Sequence, residues 1–481
     1  MKSDAILQLK KEPILHAIFD VVNTVKAKAY LVGGVLRNLA LSRPFGFDYD
    51  IVLDKQIKET ANLIAGKLKG SPFLLDKKLG SYRVNIKSSK GVFNIDISPY
   101  KRKDIVEDLR NRDFTINALA VDMNALFKKS DATIIDIFKG INDAENKIIR
   151  MLKTDIFDED PLRLLRAARL SAQYDLTIDK ETEKCIKQKA NLLTKSSWER
   201  IRDEFFLILS CSEAARHVKR LYELSLLCEI ISEIRNWEDL EDYDLFSHAI
   251  KTLEQGERLY NNLNAFMPEF AENLTAYFEM QLGNIPKEGL FKLTLFLHDV
   301  GKTATMEREG ERIRFIGHEV EGEIINKRIG RRLKLSKAAI VFIAKLTKNH
   351  HRVFNLASLA KLTNRSKAHL FRVMGGEDGL LLLLLALADA RATRDGDDPE
   401  LVSIVKDLID FYYKIYSVKK PKPVLTGEEV MDIFDIPEGV MVGRILNKLA
   451  EAEGEGIVKD KSDAVPFIKN WLKWAKDGWQ T

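Results

Sequence analysis

The sequence predicts a mixed α/β domain followed by a long all-α region. Residues 1–150 alternate between strand and helix patterns, whereas from about residue 155 apolar residues recur at intervals of three and four, as in amphipathic helices. The chain has 481 residues, too many for one hydrophobic core, and is 45% hydrophobic and 31% charged. These observations indicate a globular protein of several domains.

The strands of the first domain are predicted from alternation and turn signals. After an amphipathic N-terminal helix, AYLVGG (29–34) and DYDIVL (48–53) have the pattern of strands. RVNIKS (83–88) and GVFNIDIS (91–98) alternate apolar and polar residues and are separated by a short Ser-Lys-Gly turn. They therefore predict an antiparallel hairpin.

Two interruptions divide the helical region. NWEDLEDYDLFSH (236–248) breaks the helical pattern, and SVKKPKPVLTG (417–427) has the composition of a Pro/Lys linker. We therefore expect an α/β domain, a helical domain, a histidine-bearing helical domain and a small helical tail. Their predicted bounds are 1–150, 151–235, 236–415 and 416–481.

The charge and cysteine content restrict the cellular setting. A net charge of +5 permits a nucleic-acid partner without requiring one. The three cysteines form no CxxC pair and the N-terminus matches neither a signal nor a transit peptide, so we expect a reduced, cytoplasmic protein. The longest apolar run, residues 379–389, is far shorter than the roughly 20 residues of a membrane span and predicts a buried helix, so no membrane association is expected.

Three aspartates on neighbouring predicted strands form a candidate metal site. Asp48 and Asp50 are two residues apart on one strand, so their carboxylates point to the same side. Asp96, on the adjacent predicted strand, can supply a third carboxylate. Such carboxylates bind Mg²⁺, and two ions can hold the attacking and leaving oxygens of a phosphoryl displacement. The competing interpretation is a solvated strand edge.

A glycine pair and an arginine precede the aspartate strand and indicate a phosphate site. Gly33 and Gly34 lack side chains, so their backbone N–H groups can approach an anionic ligand closely. Arg37 lies on the turn or helix start that follows and can pair with a phosphate. Together with the carboxylates, this pattern favours nucleotidyl transfer.

Four motifs occur in a characteristic order: GGVLR (33–37), DYD (48–50), DLRNRDFTINALA (108–120) and FDEDPLRLLRAARL (157–170). In this order they resemble the class II tRNA nucleotidyltransferase/poly(A) polymerase family, over residues 25–230 of the chain. The resemblance implies a polymerase-β-like nucleotidyltransferase head that uses Mg²⁺, a helical neck and body, and tRNA as the substrate.

The resemblance also implies roles for the matching residues, as metal ligands, triphosphate and ribose contacts, or base readers. The expected catalytic residues are Asp48, Asp50 and Asp96, and the expected nucleotide-binding residues are Gly33, Gly34, Arg37, Arg112, Asp113, Asn117, Asp160, Arg163 and Arg166. The chain departs from the family at Asn38 and Asn111, where an aspartate and an arginine are usual.

Asp160 and Arg163 are the implied base-reading pair. Being three residues apart, they are expected on one face of a helix. A carboxylate accepts a hydrogen bond from the exocyclic amine of cytosine or adenine, and a guanidinium donates to the ring acceptors beside it. Uracil would place a carbonyl against the carboxylate and be rejected. The alternative is an exposed ion pair of little energetic weight.

The segment PYKRKDIVE (99–107), between the hairpin and DLRNRDFTINA, bears on the nucleotide added. Enzymes of the family that add complete CCA ends usually carry a longer loop here, and those that add two cytidines have it shortened. We therefore favour addition of CC to the 3′ end of tRNA from CTP. Complete CCA addition, with ATP as a further substrate, is the second alternative, followed by A addition or polyadenylation.

Histidines and aspartates of the second helical domain form an ordered series of six: His248, His298, Asp299, His318, His350 and Asp389. The series resembles the HD phosphohydrolase superfamily. Its imidazole and carboxylate ligands suit Mn, Fe, Ni, Zn or Mg, and a metal-bound water can attack phosphoesters. The resemblance implies hydrolysis of 2′,3′-cyclic or terminal phosphates, either beside nucleotide addition or as the main activity of a chain whose head only binds RNA. The tail is expected to hold the tRNA elbow or to be a packing module, and no pattern specifies an oligomeric state.

Overall fold

The computed structural model describes residues 3–89, 91–100, 104–129, 132–238, 244–310, 312–394, 396–418, 424–454, 457–458 and 460–477. The chain forms two compact units, Met1–Cys211 with Arg220–Ile230 and Ser212–Lys219 with Ile231–Thr481. The four-domain division is finer than this one and stays a prediction. The predicted interruption and the predicted Pro/Lys linker each include residues outside the described ranges, as does the segment at 99–107.

One six-stranded sheet forms the base of the first unit. Its strands are β1 (Ala29–Val32), β2 (Asp48–Leu53), β3 (Ser71–Asp76), β4 (Ser81–Ser88), β5 (Gly91–Pro99) and β6 (Ala120–Asp122). The order across the sheet is β3-β4-β5-β2-β1-β6, in which β2 and β5 are parallel and the other neighbours are antiparallel. The strands predicted at 29–34 and 48–53 and the predicted hairpin, β4–β5, are confirmed, whereas β3 and β6 were not predicted.

Helices surround this sheet and continue beyond it. They are α1 (Ser3–Lys11), α2 (Pro13–Thr24), α3 (Gly34–Ala40), α4 (Ile57–Leu68), α5 (Ile105–Arg110), α6 (Met123–Lys128), α7 (Gly140–Glu145), α8 (Ile156–Glu159), α9 (Leu162–Tyr174), α10 (Lys180–Lys189), α11 (Trp198–Leu209), α12 (Ala214–Glu223) and α13 (Leu227–Ile230). Two short parallel strands, β7 (Ile148–Ile149) and β8 (Thr177–Ile178), lie between them. The change from mixed to helical structure near residue 155 agrees with the prediction.

The two faces of β2 explain where the carboxylates lie. Tyr49 and Ile51 are buried on one face, while Asp48 and Asp50 alternate with them on the other. On the aspartate face, Val52 packs in an apolar cluster with residues of β1 and α5. This cluster covers the part of β2 that follows the two aspartates. The aspartates themselves stay at the uncovered end of the strand.

The second unit is predominantly helical. Its helices are α14 (Leu245–Asn261), α15 (Leu263–Phe266), α16 (Ala271–Glu279), α17 (Lys287–Leu297), α18 (Lys302–Thr305), α19 (His318–Arg332), α20 (Lys337–Asn349), α21 (Arg352–Ala357), α22 (Asn364–Met374), α23 (Asp378–Thr393), α24 (Pro399–Phe411), α25 (Gly427–Phe434), α26 (Val440–Gly454) and α27 (Lys461–Asp477). Two small hairpins interrupt them, β9 (Gln281–Leu282) with β10 (Ile285–Pro286), and β11 (Met306–Glu309) with β12 (Arg312–Phe315).

Helix α23 lies at the centre of this unit. It packs against α14, α17 and α20, and its residues from Gly379 to Ala388 are buried, which confirms the predicted buried helix. Helices α25 to α27 pack around an apolar cluster of their own that includes Val430, Ile445 and Ile468. Among the described residues, no helix combines the length and apolarity needed to cross a membrane.

Candidate functional site

The register of the sheet brings three carboxylates to one face. Asp50 on β2 lies opposite Asp96 on the parallel strand β5, and Asp96 lies opposite Arg83 on β4. In the next row Asp48 lies opposite Asn94, whose side-chain amide donates a hydrogen bond to the Asp48 carboxylate over 2.7 Å. Asp48 is exposed and Asp50 is half-buried. The structure therefore places the predicted aspartate pair, with Asp96 beside it, on an accessible surface.

Gly33 lies so close to Asp50 that no side chain fits between them. Its φ is +73°, and a Cβ atom added there would lie 2.5 Å from Asp50 Oδ2. The backbone N–H of Gly34 donates to the same carboxylate. Burial and the neighbouring carboxylates raise the pKa of Asp50, although Arg112 and the Gly34 N–H oppose the shift. Concentrated negative charge on oxygen donors fits a hard divalent cation such as Mg²⁺.

Arg37, the predicted phosphate-binding arginine, is held from several sides. Its Nη1 donates to Asn117 Oδ1 over 3.0 Å, and its Nη2 donates to the Tyr174 hydroxyl over 2.6 Å. The Arg37 Cζ atom also lies 4.6 Å from the centre of the Tyr174 ring. Asn38 accepts from Nη2 at 3.3 Å, so the residue that departs from the family pattern still contacts the arginine. These contacts fix the guanidinium beside the glycine pair.

Arg112 faces the same glycine. Its Nη1 lies 3.4 Å from the position of a Cβ added at Gly33. The Nη2 atom of Arg112 donates to Asp108 of α5 over 3.2 Å, which anchors the side chain to the helix that precedes it. Two guanidinium groups, those of Arg37 and Arg112, therefore lie near the carboxylates where a triphosphate would need positive charge.

Asp113 lies behind this surface rather than on it. It is 6% exposed and accepts hydrogen bonds from the Phe114 N–H and the Asn117 side chain, each over 2.9 Å, and from Arg166 over 3.2 Å. Burial opposes its ionisation, but Arg166 and the other donors hold the pKa of Asp113 below its usual value. Asp113 therefore acts on the site through Asn117 and Arg166, two of the predicted nucleotide-binding residues.

The predicted helix through both Asp160 and Arg163 is wrong. Asp160 is extended, with φ −144° and ψ 96°, and lies between α8 and α9. Pro161 explains the break, because proline disfavours a helical conformation of the residue before it and is well accommodated at a helix start. Arg163 is thus on α9 while Asp160 precedes that helix.

The two side chains also pair with different neighbours. Arg163 is 9% exposed and donates to Glu159 over 3.1 Å and to the Asn111 carbonyl over 3.0 Å. Asp160 accepts instead from Arg200 of α11, over 2.9 Å. Burial opposes ionisation of Asp160, but this bond holds its pKa below the usual value. Base reading by Asp160 and Arg163 stays a prediction, with Arg200 as the cation that contacts Asp160.

The six predicted ligands of the second unit converge around Asp299. Its Oδ2 atom lies 3.5 Å from His248 Nε2 and 3.2 Å from His298 Nε2. Its Oδ1 atom lies 3.3 Å from His318 Nε2 and 3.4 Å from His350 Nε2. The six side chains come from five helices or their ends, so the fold, and not local sequence, assembles them. The six residues are His248, His298, Asp299, His318, His350 and Asp389.

Two groups of ligand atoms lie on either side of Asp299. His248, His298 and Asp389 form one group, in which Asp389 Oδ1 is 3.2 Å from His248 Nε2. His318, His350 and His351 form the other, also with their ligand atoms within 4.8 Å of one another. Imidazole nitrogens and carboxylate oxygens in this arrangement fit divalent transition metals.

The histidine rings are oriented for such a role. In three of them Nδ1 hydrogen-bonds to the backbone carbonyl three residues earlier, which turns Nε2 toward Asp299. The pairs are His298 with Leu295 at 2.9 Å, His318 with Phe315 at 2.7 Å and His350 with Thr347 at 2.6 Å. The side chain of His298 is fully buried, and its Nε2 lies 3.2 Å from Asp299 and 3.7 Å from Asp389, so imidazole and carboxylate donors surround one point.

The charges in this cluster also favour binding of a cation. Burial lowers the pKa of His298, but Asp299 and Asp389 outweigh it and raise the value to about 10. The histidines in turn hold the pKa of Asp299 and of Asp389 well below the usual range against their burial. The buried carboxylates therefore attract positive charge strongly, which a divalent cation can supply.

Three family models match successive parts of the chain. The Poly A polymerase head domain family matches residues 29–150, the family described as probable RNA and SrmB-binding site of polymerase A matches 175–238, and the HD domain family matches 245–394. The A-adding tRNA nucleotidyltransferase of Deinococcus radiodurans is 30% identical over 92% of this chain and 96% of its own. The CC-adding tRNA nucleotidyltransferase of Geobacter sulfurreducens is 29% identical over 92% and 91%.

The chain belongs to the tRNA nucleotidyltransferase family. A CCA-adding enzyme structure in an apo form has the same fold, with a TM-score of 0.62, 20% identity, and coverage of 97% of this chain and 96% of its own. The predicted family, the enzyme class and the fold class of a nucleotidyltransferase head, a helical body and an HD domain are thereby confirmed.

Four residues that contact the two centres of this tRNA nucleotidyltransferase were not predicted. Lys302 lies 2.6 Å from Asp299 Oδ2, and His351 belongs to the second group of histidines. Both had a sequence signal, because Lys302 follows Asp299 by one helical turn in HDVGK and His351 is next to a predicted ligand. Tyr174 and Arg200 are distant in sequence from the residues they contact, and no motif marks them.

Proposed function

We propose that this tRNA nucleotidyltransferase adds two cytidines to the 3′ end of tRNA, taking them from CTP without a nucleic-acid template. The supporting observation is the short interval in sequence between the end of β5 at Pro99 and the start of α5 at Ile105. An A-adding and a CC-adding enzyme are almost equally similar to the chain, so A addition is the second candidate. Complete CCA addition is disfavoured by the short connection.

In the head, the residues around Gly33 would position the reactants. Asp48 and Asp50 would hold Mg²⁺, which when bound stabilises the attacking and leaving oxygens of the displacement. Arg37 and Arg112 would bind the triphosphate, since both guanidinium groups lie beside the glycine and offer charge-assisted hydrogen bonds. The missing side chain at Gly33 lets the backbone lie directly against Asp50, where a Cβ atom would come within 2.5 Å of the carboxylate.

The base would be selected by Asp160. Its ionised carboxylate accepts hydrogen bonds only, so it matches the exocyclic amine of cytosine and rejects the carbonyl that uracil has at the same place. Arg200 keeps Asp160 ionised and oriented at 2.9 Å. Arg163 supports this loop from the buried side through Glu159.

The nucleotide added is tested with a tRNA transcript that lacks its 3′ CCA, incubated with each nucleoside triphosphate alone and in pairs. We expect two cytidines from CTP and no further extension when ATP is added. A third residue from ATP would identify a complete CCA-adding enzyme. Extension only of a transcript that already ends in CC, and only by ATP, would identify an A-adding enzyme. No incorporation on any transcript would refute nucleotide addition by the head.

We also propose that the HD domain is a metal-dependent phosphohydrolase acting on 2′,3′-cyclic or terminal phosphates of RNA. The six-ligand cluster around Asp299 supports this second function. The ligands would hold one or two divalent ions, which when bound supply an activated water. Such hydrolysis would prepare a damaged 3′ end for nucleotide addition. The tail, with its own apolar cluster, is proposed to contact the tRNA elbow.

Two alanine variants separate the activities. Asp48→Ala is expected to abolish nucleotide incorporation and to leave hydrolysis of a 2′,3′-cyclic phosphate end unchanged. His298→Ala is expected to do the reverse. Loss of both activities from either variant would argue against independent sites, and hydrolysis that survives in His298→Ala would refute the metal cluster as its origin.

A further inference from the structure

Arg83 lies in the same row of the sheet as two of the head's carboxylates. In the row across β4, β5 and β2, Arg83 lies opposite Asp96, and Asp96 lies opposite Asp50. The Arg83 Nε donates to Asp96 Oδ1 over 2.6 Å, and its Nη2 donates to Asp96 Oδ2 over 2.7 Å. The Arg83 guanidinium thus binds both oxygens of Asp96, and a metal ion coordinated by Asp96 would need the same oxygens.

The same guanidinium is within the field of the other two carboxylates. The hydrogen bonds to Asp96 raise the pKa of Arg83, and the charges of Asp48 and Asp50 raise it further against partial burial. Its side chain is 34% exposed, so it has room to move away from Asp96 into solvent. A cation in this position reduces the negative potential that attracts a divalent ion.

We infer that Arg83 is a positioning residue that competes, through its charge, with the divalent ion for Asp96. Asp48 and Asp50 would then bind the ion without Asp96. Asp96 would become a third ligand only when Arg83 breaks its two hydrogen bonds to that carboxylate. The inference rests on the proposed metal site of the head. It goes beyond that site because binding of the ion by Asp96 then depends on the position of the Arg83 side chain.

The competition predicts tighter metal binding when the charge is removed. A unit charge about 6 Å from a divalent ion at a water-exposed site changes its binding about tenfold. Arg83→Gln is therefore expected to bind Mn²⁺ about tenfold more tightly at the head site. Arg83→Lys keeps the charge and is expected to stay close to the reference chain. An Asp96→Asn chain has no third carboxylate for Arg83 and the ion to compete for, so Arg83→Gln should have a smaller effect there.

Mn²⁺ binding to the full chain is measured by electron paramagnetic resonance of the free ion, which does not depend on activity. The HD cluster is also proposed to bind divalent ions, so the head site is taken as the Mn²⁺ binding that Asp50→Asn removes. Arg110→Gln is the matched control, because Arg110 is an exposed arginine of the same unit that pairs with Glu107 at 3.0 Å. Thermal melting of each variant verifies that it is folded.

The outcomes distinguish the inference from the proposed site. Tighter binding by Arg83→Gln, with Arg83→Lys and Arg110→Gln unchanged, supports the inference. Unchanged or weaker binding by folded Arg83→Gln overturns it, and so does equal tightening by Arg83→Lys. If Asp50→Asn keeps both Mn²⁺ stoichiometry and nucleotide incorporation, the proposed metal site itself is wrong, and the inference fails with it.

Discussion

Removing the hydroxyl of Tyr174 tests how Arg37, the arginine proposed to bind the triphosphate, is positioned. The hydroxyl accepts a hydrogen bond from Arg37 Nη2 at 2.6 Å, and the ring lies 4.6 Å from the Arg37 Cζ atom. Tyr174→Phe deletes the first contact and keeps the second. Tyr174 itself is 8% exposed, and among the described residues of the site its hydroxyl contacts Arg37, so an effect on the nucleotide is expected to pass through that guanidinium.

The magnitude follows from the kind of bond and its exposure. A hydrogen bond to a charged group contributes about 1.5–3 kcal/mol. Arg37 is half-buried, so water replaces part of the lost bond and the lower end of that range applies. About 1.4 kcal/mol corresponds to a tenfold change, so KM for CTP should rise about tenfold while kcat changes less. Tyr174→Leu also removes the cation–π contact and should add about 0.5–1 kcal/mol.

The assay is the initial rate of cytidine incorporation into a tRNA transcript without its 3′ end, over a range of CTP concentrations. Tyr82→Phe is the control, because Tyr82 is on β4 of the same sheet but on the face opposite Arg83. Unchanged KM in a folded Tyr174→Phe variant would refute positioning of Arg37 by the hydroxyl. An equal rise in the Tyr82 variant would show a general effect of the substitution.

Three further predictions concern base selection, metal binding and pH. Asp160→Asn gains a donor, so the ratio of kcat/KM for CTP over UTP should fall by about 10–100-fold, and an unchanged ratio would show that Asp160 does not read the base. After dialysis against EDTA, adding Mn²⁺ or Ni²⁺ should raise the melting temperature of the second unit by stabilising its folded form, and His298→Ala should lose this shift; an equal shift would place the ion elsewhere. Since the folded-state pKa of Asp113 is lowered, its contribution to stability is complete above the unfolded value of about 4 and is lost as pH falls through the folded value. Asp113→Asn should therefore flatten the pH dependence of unfolding in that acidic range, measured by urea titration, and should cost about 2–3 kcal/mol at pH 7 because Arg166 loses its partner.

The strands that carry the carboxylates could be predicted because each has one buried and one polar face. Alternation identified β2 and the β4–β5 hairpin, and it also placed Asp48 and Asp50 on one side. The edge strand β3 (Ser71–Asp76) lacks alternation and is exposed on both faces, so only its pairing with β4 makes it a strand. The parallel pairing of β2 with β5 joins strands that are not consecutive, and residue patterns alone do not specify it.

In the candidate site, too, the sequence pattern did not specify which distant residues come together. All six ligands of the HD cluster were named from residue type and order, but their convergence on Asp299 depends on the packing of separate helices. The error at Asp160 was avoidable, since Pro161 is visible in the sequence and a helix seldom continues through the residue before a proline. Tyr174 and Arg200 were out of reach, because the bonds they make join residues far apart in the chain.

The parallel register of β2 and β5 has a consequence for how such enzymes can diverge. Inserting one residue within either strand would turn its aspartate to the opposite side of the sheet and end the chemistry. Residues 100–104 follow the last paired position and can lengthen or shorten without moving a carboxylate. Changes in chain length are therefore tolerated outside the paired strands, where they leave the relative positions of the aspartates unchanged.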